Sequence, residues 1–187
     1  MPDAAHLIKG EKRLVIPADI DNSFRVAPSP IHGRGLFSVR ARRPGEALYV
    51  VRGEIVNLSF DEDYGHGANW IGTGWETWLV PERRNPMTFT NHCCEPNVIV
   101  SNGFAVVAIE AIPASSEVLL DYATTEIDPL WRMRCRCDRP HCRKQVRSYP
   151  FISEALRARY APYLPLAFLD AAKIVMASSG FQGQRSR

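Results

Sequence analysis

Two groups of side chains in this sequence have types and spacing that bear chemistry. One is Asn91-His92-Cys93-Cys94-Glu95-Pro96-Asn97, followed downstream by Asp121-Tyr122; the other is Cys135-x-Cys137-x4-Cys142. All five cysteines fall between Cys93 and Cys142, and an odd, clustered set points to a metal rather than to a disulfide framework. A closed structural zinc site takes four ligands, usually Cys or His, in a tetrahedron. Cys135, Cys137 and Cys142 supply three, and Cys93 or Cys94 supplies the fourth. Adjacent ligands are sterically awkward, so Cys93 reads as a small buried apolar residue. His141 is the weaker competitor, beside Cys142 on the same tight turn. One ion held this way would fold the two segments together and lock Tyr122 and the Asn91-His92 pair into a common site.

Around the thiols lie Arg132, Arg134, Arg136, Arg139, Arg143, Lys144 and Arg147, opposed by Asp138 alone. These cations favour thiolate over thiol. Such a patch also attracts anionic partners, and a weak nucleic-acid contact is expected beside the plainer reading of a solvated charged face. The chain as a whole is only mildly basic, at +3, and its 187 residues with 45% hydrophobic content fit one domain with a sizeable core. Met1 to Arg13 carries His6, Lys9, Glu11, Lys12 and Arg13 without an apolar run or a cleavage site, so no secretory signal is read. No stretch is long and apolar enough to span a bilayer, and no membrane contact is expected. The expected location is intracellular: cytoplasmic in a bacterium, nuclear in a eukaryote or when delivered to a host. No oligomeric state is assigned.

The elements that must position these groups are short. Phe24–Ala27 and Leu36–Val39 alternate as strands, and Ala47–Val56 is the strongest strand candidate. A loop-rich insertion over 59–85 contains Trp70, Trp75 and Trp78, read as core. Val98–Val100, Ala105–Ile109 and Val118–Leu120 are further strands, the first two joined by an Asn102-Gly103 turn. Leu14-Val15-Ile16 reads as an added edge strand. Ser153 caps a helix running toward Pro162, Pro165–Ser178 forms a second helix, and Phe181–Arg187 is a frayed tail. Many short strands, with no Gly-rich loop opening a long helix, exclude a doubly wound nucleotide fold. Gly33-x-Gly35 alone is a weak signal; its use would be to let backbone approach a ligand without Cβ interference.

Taken together, the residues resemble the SET-domain lysine methyltransferases in four places and in the family's order. His32-Gly33-Arg34-Gly35-Leu36-Phe37 resembles the first motif, and Thr90-Asn91-His92-Cys93-Cys94-Glu95-Pro96-Asn97 is similar to the Asn-His-Ser-Cys-x-Pro-Asn segment. Glu117 to Tyr122 matches the stretch ending in the catalytic tyrosine. Arg134-Cys135-Arg136-Cys137 to Cys142-Arg143 resembles the post-SET zinc motif. The resemblance covers roughly Phe24 to Lys144 and departs from the family at Cys93, where Ser is usual, and at Thr88, where Arg is frequent; a cysteine-rich pre-SET segment is missing.

The resemblance implies a mainly β fold with some α: several short sheets, a pseudoknot between the 91–97 and 121–122 segments, a post-SET zinc segment and C-terminal helices. The expected division is a lead-in at 1–22, a SET domain at 23–126, a post-SET zinc segment at 127–147 and a helical extension at 148–187. The implied activity is transfer of the methyl group of S-adenosylmethionine to a lysine ε-amine of a protein substrate, a histone tail or another protein. Tyr122 would be catalytic. Gly33, Arg34, Gly35, Asn91, His92, Tyr122 and Trp131 would contact the methyl donor, with Trp131 stacking on adenine, and Cys94, Cys135, Cys137 and Cys142 would hold one structural Zn2+. Leu120, where relatives often place Phe or Tyr, would leave a smaller wall that admits an already methylated lysine. The alternative is a non-catalytic SET-like module that holds nucleic acid or an acidic protein through its basic zinc end.

Overall fold

The computed structural model describes residues 20–60, 69–82 and 85–178. The edge strand expected at 14–16 and the tail expected at 181–187 lie outside the described residues. A single turn of helix, α1 (Ile20–Ser23), leads into β1 (Phe24–Pro28), which pairs antiparallel with β2 (Arg34–Ser38), Phe24 opposite Ser38. Ser29 Oγ accepts the Ile31 amide and Ser29 N–H donates to Gly33 O, which closes the connecting turn.

The single strand expected over 47–56 is two strands in different sheets. β3 (Ala47–Val50) belongs to the large sheet, and β4 (Gly53–Asn57) pairs with β6 (Thr77–Pro81), which also pairs with β5 (Ile71–Gly74). The switch occurs at Gly53, where a Cβ would stand 2.0 Å from Val80 O, so only glycine lets the chain leave one partner and reach the next. Of the three tryptophans read as core, only Trp78 is fully buried; Trp75 is 42% exposed and Trp70 lines a cavity.

β7 (Asn91–His92), β8 (Val98–Val100), β9 (Ala105–Ala108) and β10 (Leu119–Leu120) complete a five-stranded sheet in the order β3-β9-β8-β10-β7. The β8–β9 connection is longer than the two-residue turn read from Asn102-Gly103. A 3₁₀ turn spans Asn102–Phe104, and Phe104 joins Gly103 at positive φ. β10 lies between β7 and β8, although those two are separated by residues 93–97 alone. Two inter-strand steps amount to about 10 Å, a span that five residues cover, so this loop strides over β10. Cys93 N–H donates to Leu120 O, and Asn97 clamps β10 from above, its Nδ2 on Glu117 O and its Oδ1 on Leu119 N–H. This is the pseudoknot that the resemblance implied.

Beyond it, β11 (Arg132–Arg134) and β12 (Gln145–Arg147) form a separate ribbon, with Met133 and Val146 facing inward. α2 (Glu154–Tyr160) is capped by Ser153, whose Oγ accepts the Leu156 amide; α3 (Leu166–Ser178) follows. Both helices are core elements: Tyr160, Phe168, Ala171, Ala172 and Val175 are buried with Trp78, Ile127 and Tyr149, and α3 packs on β5. No helix among the described residues is long and apolar enough to cross a membrane.

Candidate functional site

Tyr122 lies one residue beyond β10, after Asp121, and is held from three sides. Its backbone N–H donates to His92 Nδ1 at 3.1 Å, its ring meets the His92 ring edge-on at 5.3 Å, and its hydroxyl donates to Thr90 O at 2.9 Å. Burial, reinforced by the negative charge of Glu117, pushes the phenol up to about 12, so it keeps its proton at neutral pH. With the proton committed to Thr90, the oxygen lone pairs remain as acceptors. His92 is buried. Burial holds its imidazole down to about 4, against the pull of Asp121, and Arg143 pushes the same way. The 3.6 Å approach of His92 Nδ1 to Asp121 is therefore not an ion pair. A neutral ring with Nδ1 accepting carries its proton on Nε2, which lies 3.5 Å from Cys94 Sγ. The His92 side chain thus joins the thiols to the backbone of Tyr122.

Asn91 is equally committed. Its Nδ2 lies 3.1 Å from His32 O, 3.2 Å from Arg34 O and 2.9 Å from Glu117 Oε1, so it fixes the 32–34 turn against the pseudoknot. Glu117 also explains Gly35, where a Cβ would stand 2.1 Å from Glu117 Oε1. The expectation that Gly35 admits a ligand is corrected accordingly: the space above it holds this carboxylate. Gly33, by contrast, sits at φ +49 with open space around it.

Cys94, Cys135, Cys137 and Cys142 bring their sulfurs within 4.8 Å of one another. An ion with metal–sulfur bonds of about 2.3 Å sets tetrahedral ligand sulfurs roughly 3.8 Å apart. Cys94–Cys135 at 3.8 Å and Cys135–Cys142 at 3.7 Å meet that spacing, so the donor set fits zinc. Cys93 is wholly buried and stays out of the cluster. His141 turns away to Glu95, its Nδ1 2.9 Å from the carboxylate. Burial raises the Cys94 thiol, and Arg143 opposes this by donating its backbone N–H and its Nε to the sulfur. The same guanidinium donates to Asp121 Oδ1, while Tyr160 OH of α2 donates to Asp121 Oδ2 at 3.1 Å. The fully buried Asp121 therefore ties the thiol cluster and the C-terminal helix to the residue before Tyr122.

Two cavities adjoin this framework. One, of about 610 Å³, is lined by Gly33, Arg34, Trp70, the Met87–Phe89 turn, Thr125, Glu126 and Trp131. The other, of about 440 Å³, lies among Ile31, His92 and the Arg134–Arg136 segment. They share His32, Asn91, Tyr122 and Met133, which form a neck between them. Of the residues expected to contact the donor, Gly33, Arg34, Asn91, His92, Tyr122 and Trp131 border one or both cavities, and Gly35 borders neither. Leu120 also stays away: it is fully buried in the core beside Leu36 and Val98, so it does not wall these cavities as expected. Sequence reasoning gave Arg143 a part only as one of several cations favouring thiolate, which its two contacts to Cys94 Sγ make specific, and it gave no role to Asp121 or Glu117, although both sit inside a quoted motif. Glu126, Trp70 and Tyr160 lie outside every such motif.

Known proteins share this fold and part of this sequence. Residues 33–123 match the family model of the SET domain, and the chain carries a SET domain there. Over 133 residues it is 26% identical to "Histone-lysine N-methyltransferase trithorax" of Drosophila melanogaster, covering 63% of this chain and 4% of that protein. The trithorax of Drosophila virilis is similar at 25%, with 3% of its length covered. The chain thus spans a small part of the curated relatives it matches. The same fold occurs in the methyltransferase domain of human SETMAR (TM-score 0.53, 19% identity, 67% of this chain and 58% of that one). It occurs also in KRYPTONITE, solved with mCHH DNA, an H3(1-15) peptide and SAH (TM-score 0.52, 18% identity, 66% of this chain and 29% of that one).

Proposed function

We propose that the chain is an S-adenosylmethionine-dependent protein-lysine N-methyltransferase. The observation that carries the reading is the neck: two cavities on a SET domain meet at Tyr122, whose hydroxyl oxygen is free to accept a hydrogen bond there. In this reading the methyl donor spans the neck. Its adenosine lies beside Ile31, the β7 backbone and Met133, and its amino-acid end lies against Gly33, Arg34 and Thr88. The lysine side chain enters the larger cavity past Trp70 and Trp131, whose faces guide a cation inward; Trp131 lines this cavity and not the one given to adenosine, so in this reading it walls the lysine path instead of stacking on adenine.

The reaction is an in-line displacement at a sulfonium carbon. The lysine nitrogen forms a bond to the methyl carbon as the carbon–sulfur bond breaks, and the proton released from nitrogen leaves to water. Free lysine has a pKa of about 10.4, so the site must favour its neutral form. Desolvation among Trp70, Phe89, Met133 and Trp131, with a positive sulfonium nearby, does this. Tyr122 OH accepts from an N–H of the amine and points the nitrogen lone pair at the methyl group. No acid or base chemistry is required of Tyr122; alignment supplies the rate. A zinc ion on the four thiols would supply no chemistry beyond holding the 132–147 segment, and with it Met133, over the neck. The substrate class is a lysine-bearing protein, with a histone tail the first candidate from the relatives' names.

The test is incubation of metal-replete protein with methyl-labelled S-adenosylmethionine and either histones or a cell lysate, followed by hydrolysis of the labelled protein. The expected result is label in methyllysine, abolished by chelation. Donor binding without transfer to any protein would favour the non-catalytic module instead.

A further inference from the structure

The outward face of the β11–β12 ribbon is an unbalanced cationic surface. Alternation sends Met133 and Val146 to the core and leaves Arg132, Arg134, Gln145 and Arg147 on the other side, all exposed. Arg132 stands directly opposite Arg147 in the register. Like charges so placed destabilise a strand pair, and no acidic residue of either strand offsets them. The side chains of Arg132 and Arg134 make no ion pair or hydrogen bond among the described residues, while that of Arg147 lies over the Phe151 ring at 4.2 Å. Lys144, 73% exposed, has among the described residues only the still more exposed Asp138 as an acidic partner, at 4.0 Å. Arg132, Arg134, Lys144 and Gln145 rim a shallow hollow of about 400 Å³, with Met133 at its floor.

We propose that this ribbon is a binding surface for double-stranded DNA, with the arginines on backbone phosphates. Three features select that partner. Guanidinium forks match phosphate oxygens in pairs and never lose their charge. The exposed side chains of the outward face are all cationic or polar, with only the partly buried Met133 reaching the hollow, whereas protein partners bury an apolar centre. A two-stranded ribbon also fits the major groove of B-form DNA, while the major groove of A-form RNA is too deep and narrow for side chains to read. The surface adjoins the smaller cavity through Met133 and Arg134, so bound DNA would lie beside the neck. The inference does not rest on methyl transfer.

Its test is fluorescence anisotropy of a labelled 20-base-pair duplex with the full, metal-replete chain over a salt series. Each phosphate contact contributes about −0.9 to the slope of log affinity against log salt, so four cations predict a slope of roughly −3.5. The double variant Arg132→Ala/Arg134→Ala is expected to bind at least tenfold more weakly at low salt, with the slope reduced by about 2. The lysine version of the same pair should retain most of the affinity. Arg40→Ala/Arg159→Ala, an equal charge change at exposed pairs elsewhere, should change the slope little. Absence of duplex binding at low salt, an unchanged slope in the ribbon variant, or an equal loss in the control would overturn the proposal. Tighter ribbon-dependent binding to polyglutamate than to duplex would overturn it in favour of an acidic protein.

Discussion

Glu126 is the residue whose chemistry departs furthest from its type. It lines the same cavity as Tyr122, and its Oε1 accepts the Ile127 and Asp128 amides at 2.8 and 2.9 Å. Burial nevertheless raises its carboxyl from 4.5 to about 8, the two amides opposing and the charge of Asp128 assisting. At neutral pH the cavity wall is therefore uncharged at this point. The folded protein binds a proton here that the unfolded chain releases near 4.5, so the native state's advantage is full below that pH and is lost as pH rises through 8. Melting temperature measured from pH 5 to 9 should fall more steeply for the wild type than for Glu126→Gln; parallel curves would show that Glu126 does not titrate in this window. Nothing in the sequence marked this residue, since its burial depends on the Tyr149 amide reaching its carbonyl from a distant segment. Tyr122, Asn91, His92 and Cys94 were legible because local spacing carries them. What spacing concealed was that the Asn91 amide and His92 ring are spent on the protein itself, on the 32–34 turn, Cys94 and Tyr122.

Among the elements, strands with clean alternation or β-branched runs were readable, and those whose fate depends on a neighbour were not. β1, β2, β8 and β9 follow their local patterns. The run from Ala47 to Val56 has one continuous propensity, yet the chain changes sheets at Gly53, because the carbonyl of Val80 lies where a side chain would be. The C-terminal helices were readable from Ser153 and from their period, but their contribution to the site was not. Tyr160 reaches out of α2 to the buried Asp121, and the helix thereby braces the turn that carries Tyr122. Tyr160→Phe leaves that carboxylate one donor short at a cost of about 2 kcal/mol, which lowers the melting temperature by roughly 5 °C. Differential scanning calorimetry checks this against Arg159→Ala, which breaks an exposed pair with Glu110 and should shift melting by about 1 °C. Equal shifts in the two variants would mean that the Tyr160–Asp121 contact holds no more than a surface pair.

At the scale of the whole molecule, the short elements serve one convergence. The loop over β10 sets Asn91-His92 beside Tyr122, the thiol cluster draws the 132–147 segment across them, and α2 supports the junction from behind. Each part alone is marginal: β10 is two residues long, and the ribbon has three residues per strand. Their joint effect is to set Tyr122, its hydroxyl proton given to Thr90 O, among the residues that both cavities share. Single-turnover methyl transfer to a lysine substrate, with S-adenosylmethionine prebound to metal-replete protein, tests this most directly when wild type is compared with Tyr122→Phe. The account predicts donor affinity within a few-fold of wild type and a transfer rate lower by on the order of 10². Equal rates in the two proteins would contradict it.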